Sequence, residues 1–177
     1  MIRFYLIALL LIGCSTPLPR RSPYWACSPE RRVNIAVYNR AEIPDAEFRR
    51  AVSAVQVQLD RDFAPAWGIH ATLLYRAALT DAAPDRIVSV EPGPSSWGPL
   101  GTAWEATGAI VRTSRCVRFG VPWTRVLSHE IIGMLGGEQP GHRDICDTAN
   151  ERGIGYSVDG VALSGFDLPD GEIFDGR

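Results

Sequence analysis

Residues 122–138, PWTRVLSHEIIGMLGGE, decide how the rest of the chain is read. Pro122 suits a first helical position, having a fixed φ and no amide hydrogen to leave unbonded. Trp123, Leu127, Ile131 and Met134 recur at helical spacing, and Gly136-Gly137 supplies a left-handed stop. The run reads as an amphipathic helix, and the segments around it read as the layer it packs on. Upstream, Arg32–Asn39 alternates, with Val33, Ile35 and Val37 on one face, as a strand does. Pro44-Asp45 opens a second helix with Phe48, Val52, Val55, Leu59 and Phe63 as its apolar stripe, and Pro65 is expected to end it. Residues 69–75 and 86–90 alternate again, 92–99 form a Pro/Gly/Ser loop, and 108–113 and 114–119 are further strand segments. Near the end, 155–158 and 161–163 flank Asp159-Gly160, a strong two-residue hairpin signal. This order predicts a single α+β domain with two main helices packed on one mixed β-sheet.

The same central helix carries the only arrangement in the chain that looks built for chemistry. His129 and Glu130 are the first half of H-E-x-x-H. In that motif two histidines one turn apart hold zinc, and the glutamate activates a water. Position i+4 is Gly133, which has no side chain to offer. Glu130 is thus the candidate catalytic base and His129 the first metal ligand. A loop folding back past Gly136-Gly137 can bring His142, Glu138, Asp144 or Asp147 to complete a set, and Gly133 leaves room for that approach. His70 reads as structural or exposed, Trp67 and Trp123 as packing residues, and Trp97 in its loop as a recognition contact.

The start of the chain sets the compartment. Met1-Ile2-Arg3 followed by an apolar run too short to span a bilayer reads as an export signal. It ends in Leu11-Ile12-Gly13-Cys14, which resembles a bacterial lipobox. That resemblance implies cleavage before Cys14, lipidation of its thiol, and residence in the bacterial cell envelope with the domain facing the periplasm or exterior. Residues 1–13 are then the signal, 14–30 a Pro- and Arg-rich tether, and 31–177 the folded domain. Arg20, Arg21, Arg31 and Arg32 read as solvated linker charge.

Composition narrows the partners. All 18 basic residues are arginine, against 20 acidic ones, and removal of Arg3 with the leader takes the net charge from −2 to −3. Without a basic stripe, nucleic acid is excluded as a partner. The membrane, through the lipid, and a peptide or protein ligand remain. Cys27, Cys116 and Cys146 are left after lipidation, which predicts one bridge and one spare thiol without choosing the pair.

Four blocks of sequence resemble a group of uncharacterised bacterial and phage zincin-like proteins. Their helix reads S-H-E-x-x-E-x-x-x-D-P, preceded by D-F-x-P-x-W-G and followed by C-D-P-x-E and Y-x-x-x-G-x-x-x-S-x-F. Here stand Asp62-Phe63-Ala64-Pro65-Ala66-Trp67-Gly68, then Ser128-His129-Glu130, then Cys146-Asp147, then a tail from Tyr156 through Gly160 and Ser164 to Phe166. The departures fall on the chemistry: Gly133 replaces the second glutamate of the helix, Gly137-Glu138 the Asp-Pro, and Asn150 the last acidic residue. The longer metzincin pattern fits Gly136 but loses both later histidines, to Gly133 and Gln139. The resemblance implies a zincin-like fold with a degenerate centre that acts by binding or scaffolding in the cell envelope, with zinc or with no cofactor. The alternative it leaves is an active zinc peptidase using His129 with His142 or Asp147, and Glu130 as base.

Overall fold

The computed structural model describes residues 32–76, 83–94, 98–104, 107–136 and 145–177. Nine strands and five α-helical segments follow one another among them. Five strands form one sheet in the order β2-β1-β3-β5-β4: β1 (Arg32–Asn39), β2 (His70–Arg76), β3 (Arg86–Glu91), β4 (Gly101–Trp104) and β5 (Gly108–Arg112). The first three and β5 run parallel, and only β4, at the edge, runs antiparallel. The sheet is therefore mixed, as expected. Lying inside a mainly parallel sheet, β1 is buried from Ile35 through Tyr38, on both faces rather than on the single face its alternation suggested.

The first helix, α1 (Asp45–Gln58), buries Phe48, Val52 and Val55 of its predicted stripe. It does not stop at Pro65. The chain passes through a π-helical turn at Leu59–Phe63, in which Ala64 N–H donates to the Leu59 carbonyl, and continues as α2 (Ala64–Trp67). Widening the helix just before the proline lets a residue without an amide hydrogen occupy the first turn of a new segment. Gly68, at φ 69°, supplies the left-handed stop. Gln56 of α1 closes the outer edge of β2, its Oε1 accepting from Leu73 N–H at 2.7 Å and its Nε2 donating to the Ala71 carbonyl at 3.0 Å.

Two further expectations are corrected. Residues 114–119 are not a strand: Thr113–Phe119 is helix α3, ended by Gly120 at φ 64°. Cys116 packs into the core while Val117 and Phe119 are exposed, so the apolar residues of this segment do not line one buried strand face. The helices number more than two, since α3 and a short α5 (Asp147–Glu151) join the pair read from sequence.

The central helix, α4, spans Trp123–Gly136, with the Pro122 carbonyl accepting from Arg125 N–H at 3.0 Å. It is enclosed rather than amphipathic: every residue from Val126 to Gly136 except His129 is buried. The sheet covers one side through β4 and β5, and the C-terminal hairpin of β6 (Gly155–Val158) and β7 (Val161–Ser164) covers the other. Asp159 and Gly160 both take positive φ in the turn of that hairpin, as the Asp-Gly pair predicts. Fully buried Ser128 stitches helix to hairpin, its Oγ accepting from Ser164 N–H at 2.7 Å. At the other end, buried Arg86 donates to the Met134 carbonyl at 2.9 Å and so satisfies a group the last turn leaves open. A second small hairpin, β8 (Phe166–Asp167) with β9 (Ile173–Phe174), completes the fold. Among the described residues no helix is long and apolar enough to cross a membrane.

Candidate functional site

The four sequence blocks meet in space, in two groups. Asp62 accepts a hydrogen bond from the Tyr156 hydroxyl at 2.6 Å, Phe63 packs edge-on against Phe166, and Trp67 Nε1 donates to the Asp167 carbonyl at 3.0 Å. The first block is thus the bed on which the C-terminal tail lies. Burial, reinforced by the Asp62 carboxylate, pushes the Tyr156 phenol well above its ordinary range. The second group is Ser128-His129-Glu130 with Cys146-Asp147, and it borders a cleft.

That cleft, of about 450 Å³, opens between the edge strand β4, helix α4 and helix α5. Strand β4 contributes Gly101, Thr102 and Ala103; α4 contributes Arg125, Val126, His129 and Glu130; α5 contributes Asp147 and Asn150. His129 is the one residue in the middle of α4 that is not fully enclosed, with 15% of its side chain exposed. Asp147, the first residue of α5, brings its Oδ1 to 4.0 Å from His129 Nε2. Of the predicted metal ligands, therefore, His129 and Asp147 are brought together. His142 lies outside the described residues, as do Glu138, Asp144, Trp97 and the lipidation site Cys14.

Glu130, beside His129 in the cleft wall, is buried, with 7% of it exposed. Its carboxylate lies over the α-carbon of Gly101, where a methyl group would overlap Oε1, so the glycine is what admits an acid between α4 and β4. Asn150, one turn after Asp147, faces the same cleft. The position at which the resemblance leads one to expect a third acidic group is thus in the right neighbourhood with an amide in its place. Gly133, at the expected second-ligand position, is buried within α4.

Sequence reading missed two members of this site. Arg125 sits one turn before His129, a spacing that puts both on one face, and that spacing was the available signal. Gly101 gave none, because β4 is a four-residue strand with a single buried residue, too short to show a period.

A zinc that activates water is held by about three protein ligands and keeps one position open. Among the described residues no three His, Cys, Asp or Glu side chains gather in one place; His129 and Asp147 are the two candidates that meet there. Of the cysteines, Cys116 is a buried free thiol, and Cys116 and Cys146 are not bonded to each other. Cys27 lies outside the described residues. Comparison with protein-family models, with curated proteins and with solved structures finds no match to the chain.

Proposed function

We propose that the chain is a lipid-anchored envelope protein whose zincin-like domain binds peptide or protein segments in the cleft beside His129 and does not hydrolyse them. The observation that carries this is the face of α4 toward the cleft. It presents an imidazole at 129, nothing at 133, and an amide at 150 across from it. The zincin-like reading is supported by the order of sheet, central helix and downstream donor, and by the way the four blocks pair in space. The compartment rests on Cys14 and the sequence before it.

One measurement favours a second reading. Two ligands of a tetrahedral zinc stand roughly 3.3 Å apart, and the 4.0 Å between His129 Nε2 and Asp147 Oδ1 is close to that separation. On this reading His129, Asp147 and His142 hold zinc and Glu130 is the base. The two are separated by equilibrating the purified full chain with zinc, dialysing, and measuring metal content alongside cleavage of a mixed peptide substrate. Binding without hydrolysis predicts substoichiometric zinc and no cleavage. One zinc per chain, with cleavage abolished in Glu130→Gln and Asp147→Asn, overturns it.

A further inference from the structure

The arginine in the cleft wall has a charge that nothing described beside it cancels. Arg125 is fixed in place from two directions. Its Nη2 donates to the Ile154 carbonyl at 2.9 Å, and its guanidinium lies over Gly155, where a methyl group would come within 3.3 Å of Cζ. Its Nε is buried with no hydrogen-bond acceptor. A carbonyl satisfies a donor but leaves the positive charge intact, and among the described residues no carboxylate forms an ion pair with Arg125. A half-buried guanidinium held rigid and uncompensated has already lost part of its hydration and most of its rotamer freedom. An incoming anion therefore meets it at small further cost. The Nη1 edge and the Asn150 amide, in the same cleft, are donors; Glu130 and Asp147 supply negative charge beyond them. That mixture repels a dianion such as phosphate and suits a single negative charge attached to a chain.

We propose that Arg125 anchors a carboxylate of the bound peptide, either its C-terminal group or an acidic side chain. This rests on the reading of the cleft as a peptide-binding site and names the feature it selects. Arg125 acts here as a specificity residue, holding the ligand one helical turn from His129.

The test uses the full chain and short synthetic peptides, with affinity read by calorimetry. The probes are acetyl-trialanine with a free C-terminus, the same peptide amidated, and acetyl-Ala-Asp-Ala amide. Charge-assisted hydrogen bonds lead one to expect a preference of roughly tenfold or more for one of the acids over the neutral amide. The arm that is preferred identifies the source of the carboxylate. Arg125→Gln abolishes the preference and Arg125→Lys keeps part of it. Should Arg125→Gln fail to fold, Asn150→Asp at an exposed position of α5 places a new negative charge in the cleft and reduces the same preference. Acid and amide binding equally to the parent chain overturns the role of Arg125 while leaving peptide binding intact. No binding of any probe overturns both.

Discussion

Replacing Ser128 with alanine removes the hydroxyl that joins the central helix to the C-terminal hairpin. Ser128 Oγ is fully buried, accepts from Ser164 N–H at 2.7 Å and donates to the Arg125 carbonyl at 3.2 Å. The Arg125 carbonyl keeps its helical position, so losing that donor is a minor change. The Ser164 amide is different, because Ser164 is fully buried at the end of β7 and no water reaches it. An amide stranded in this way costs about 1–3 kcal/mol. Alanine returns up to about 0.5 kcal/mol of helix propensity. The net loss is therefore about 1.5 kcal/mol, which for a domain of this size lowers the melting temperature by roughly 3–6 °C. The assay is thermal unfolding of parent and Ser128→Ala chains, with amide hydrogen exchange at Ser164 as the local readout. Exchange there should accelerate more than at Leu163 or Val161. A melting temperature within about 1 °C of the parent, or unchanged protection at Ser164, would falsify the claim that this serine earns its place before His129 by holding the hairpin.

Three other outcomes follow from the same geometry and sequence. Gly133→His restores an imidazole one turn from His129, and zinc affinity measured by competition with a chromogenic chelator should rise at least tenfold; no change means that α4 is not a zinc-protease helix with a ligand missing. Burial lifts the Cys116 thiol from 9.0 to about 11, so the folded state keeps it protonated and the stability that this contributes is lost as pH rises between those values; the decline in denaturant midpoint across that interval should be shallower in Cys116→Ala, and Cys116 in the folded chain should resist maleimide at pH 8. Cys14→Ser should move the protein from the membrane fraction to the soluble fraction on expression in a bacterial host, and persistence on membranes through a carbonate wash would remove the lipid anchor from the argument.

The long elements were legible because their periods are complete. Phe48, Val52 and Val55 announce α1, and the Asp159-Gly160 turn announces its hairpin, because each signal is local and self-sufficient. What was not legible depended on partners distant in sequence. The enclosure of α4 on both sides is decided by the C-terminal hairpin, which the spacing of its own apolar residues does not reveal. The π turn before Pro65 preserves helix where local rules end it. The small β8–β9 hairpin had a usable sign in Pro169-Asp170-Gly171, the turn between its strands, where Gly171 N–H donates to the Leu168 carbonyl at 2.9 Å. At the site, His129 and Asp147 were both singled out, but their meeting required α5 to begin where it does. Arg125 carried a signal in its one-turn spacing from His129, but an arginine on a helix ordinarily faces water, which masks it.

If the domain is, as proposed, a zincin-like fold without its metal, the way the blocks pair explains how it stands without one. In small domains whose folding energy comes from a bound ion, loss of two ligands unfolds the chain. Here the residues that knit the domain are not the donors. Asp62 with Tyr156, Phe63 with Phe166, Trp67 with the Asp167 carbonyl and Ser128 with Ser164 hold the first helix, the central helix and the tail together. None of them needs an ion. A glycine within α4 costs the helix about 1 kcal/mol relative to alanine, and an amide at the exposed position 150 costs the fold little. Position 150 is thus nearly free to change, while the residues that join the elements are locked by burial. On the proposed reading, a cleft kept in shape by such contacts, with an imidazole, a buried carboxylate and a guanidinium on its walls, keeps what recognition of a peptide needs without the means to cut one.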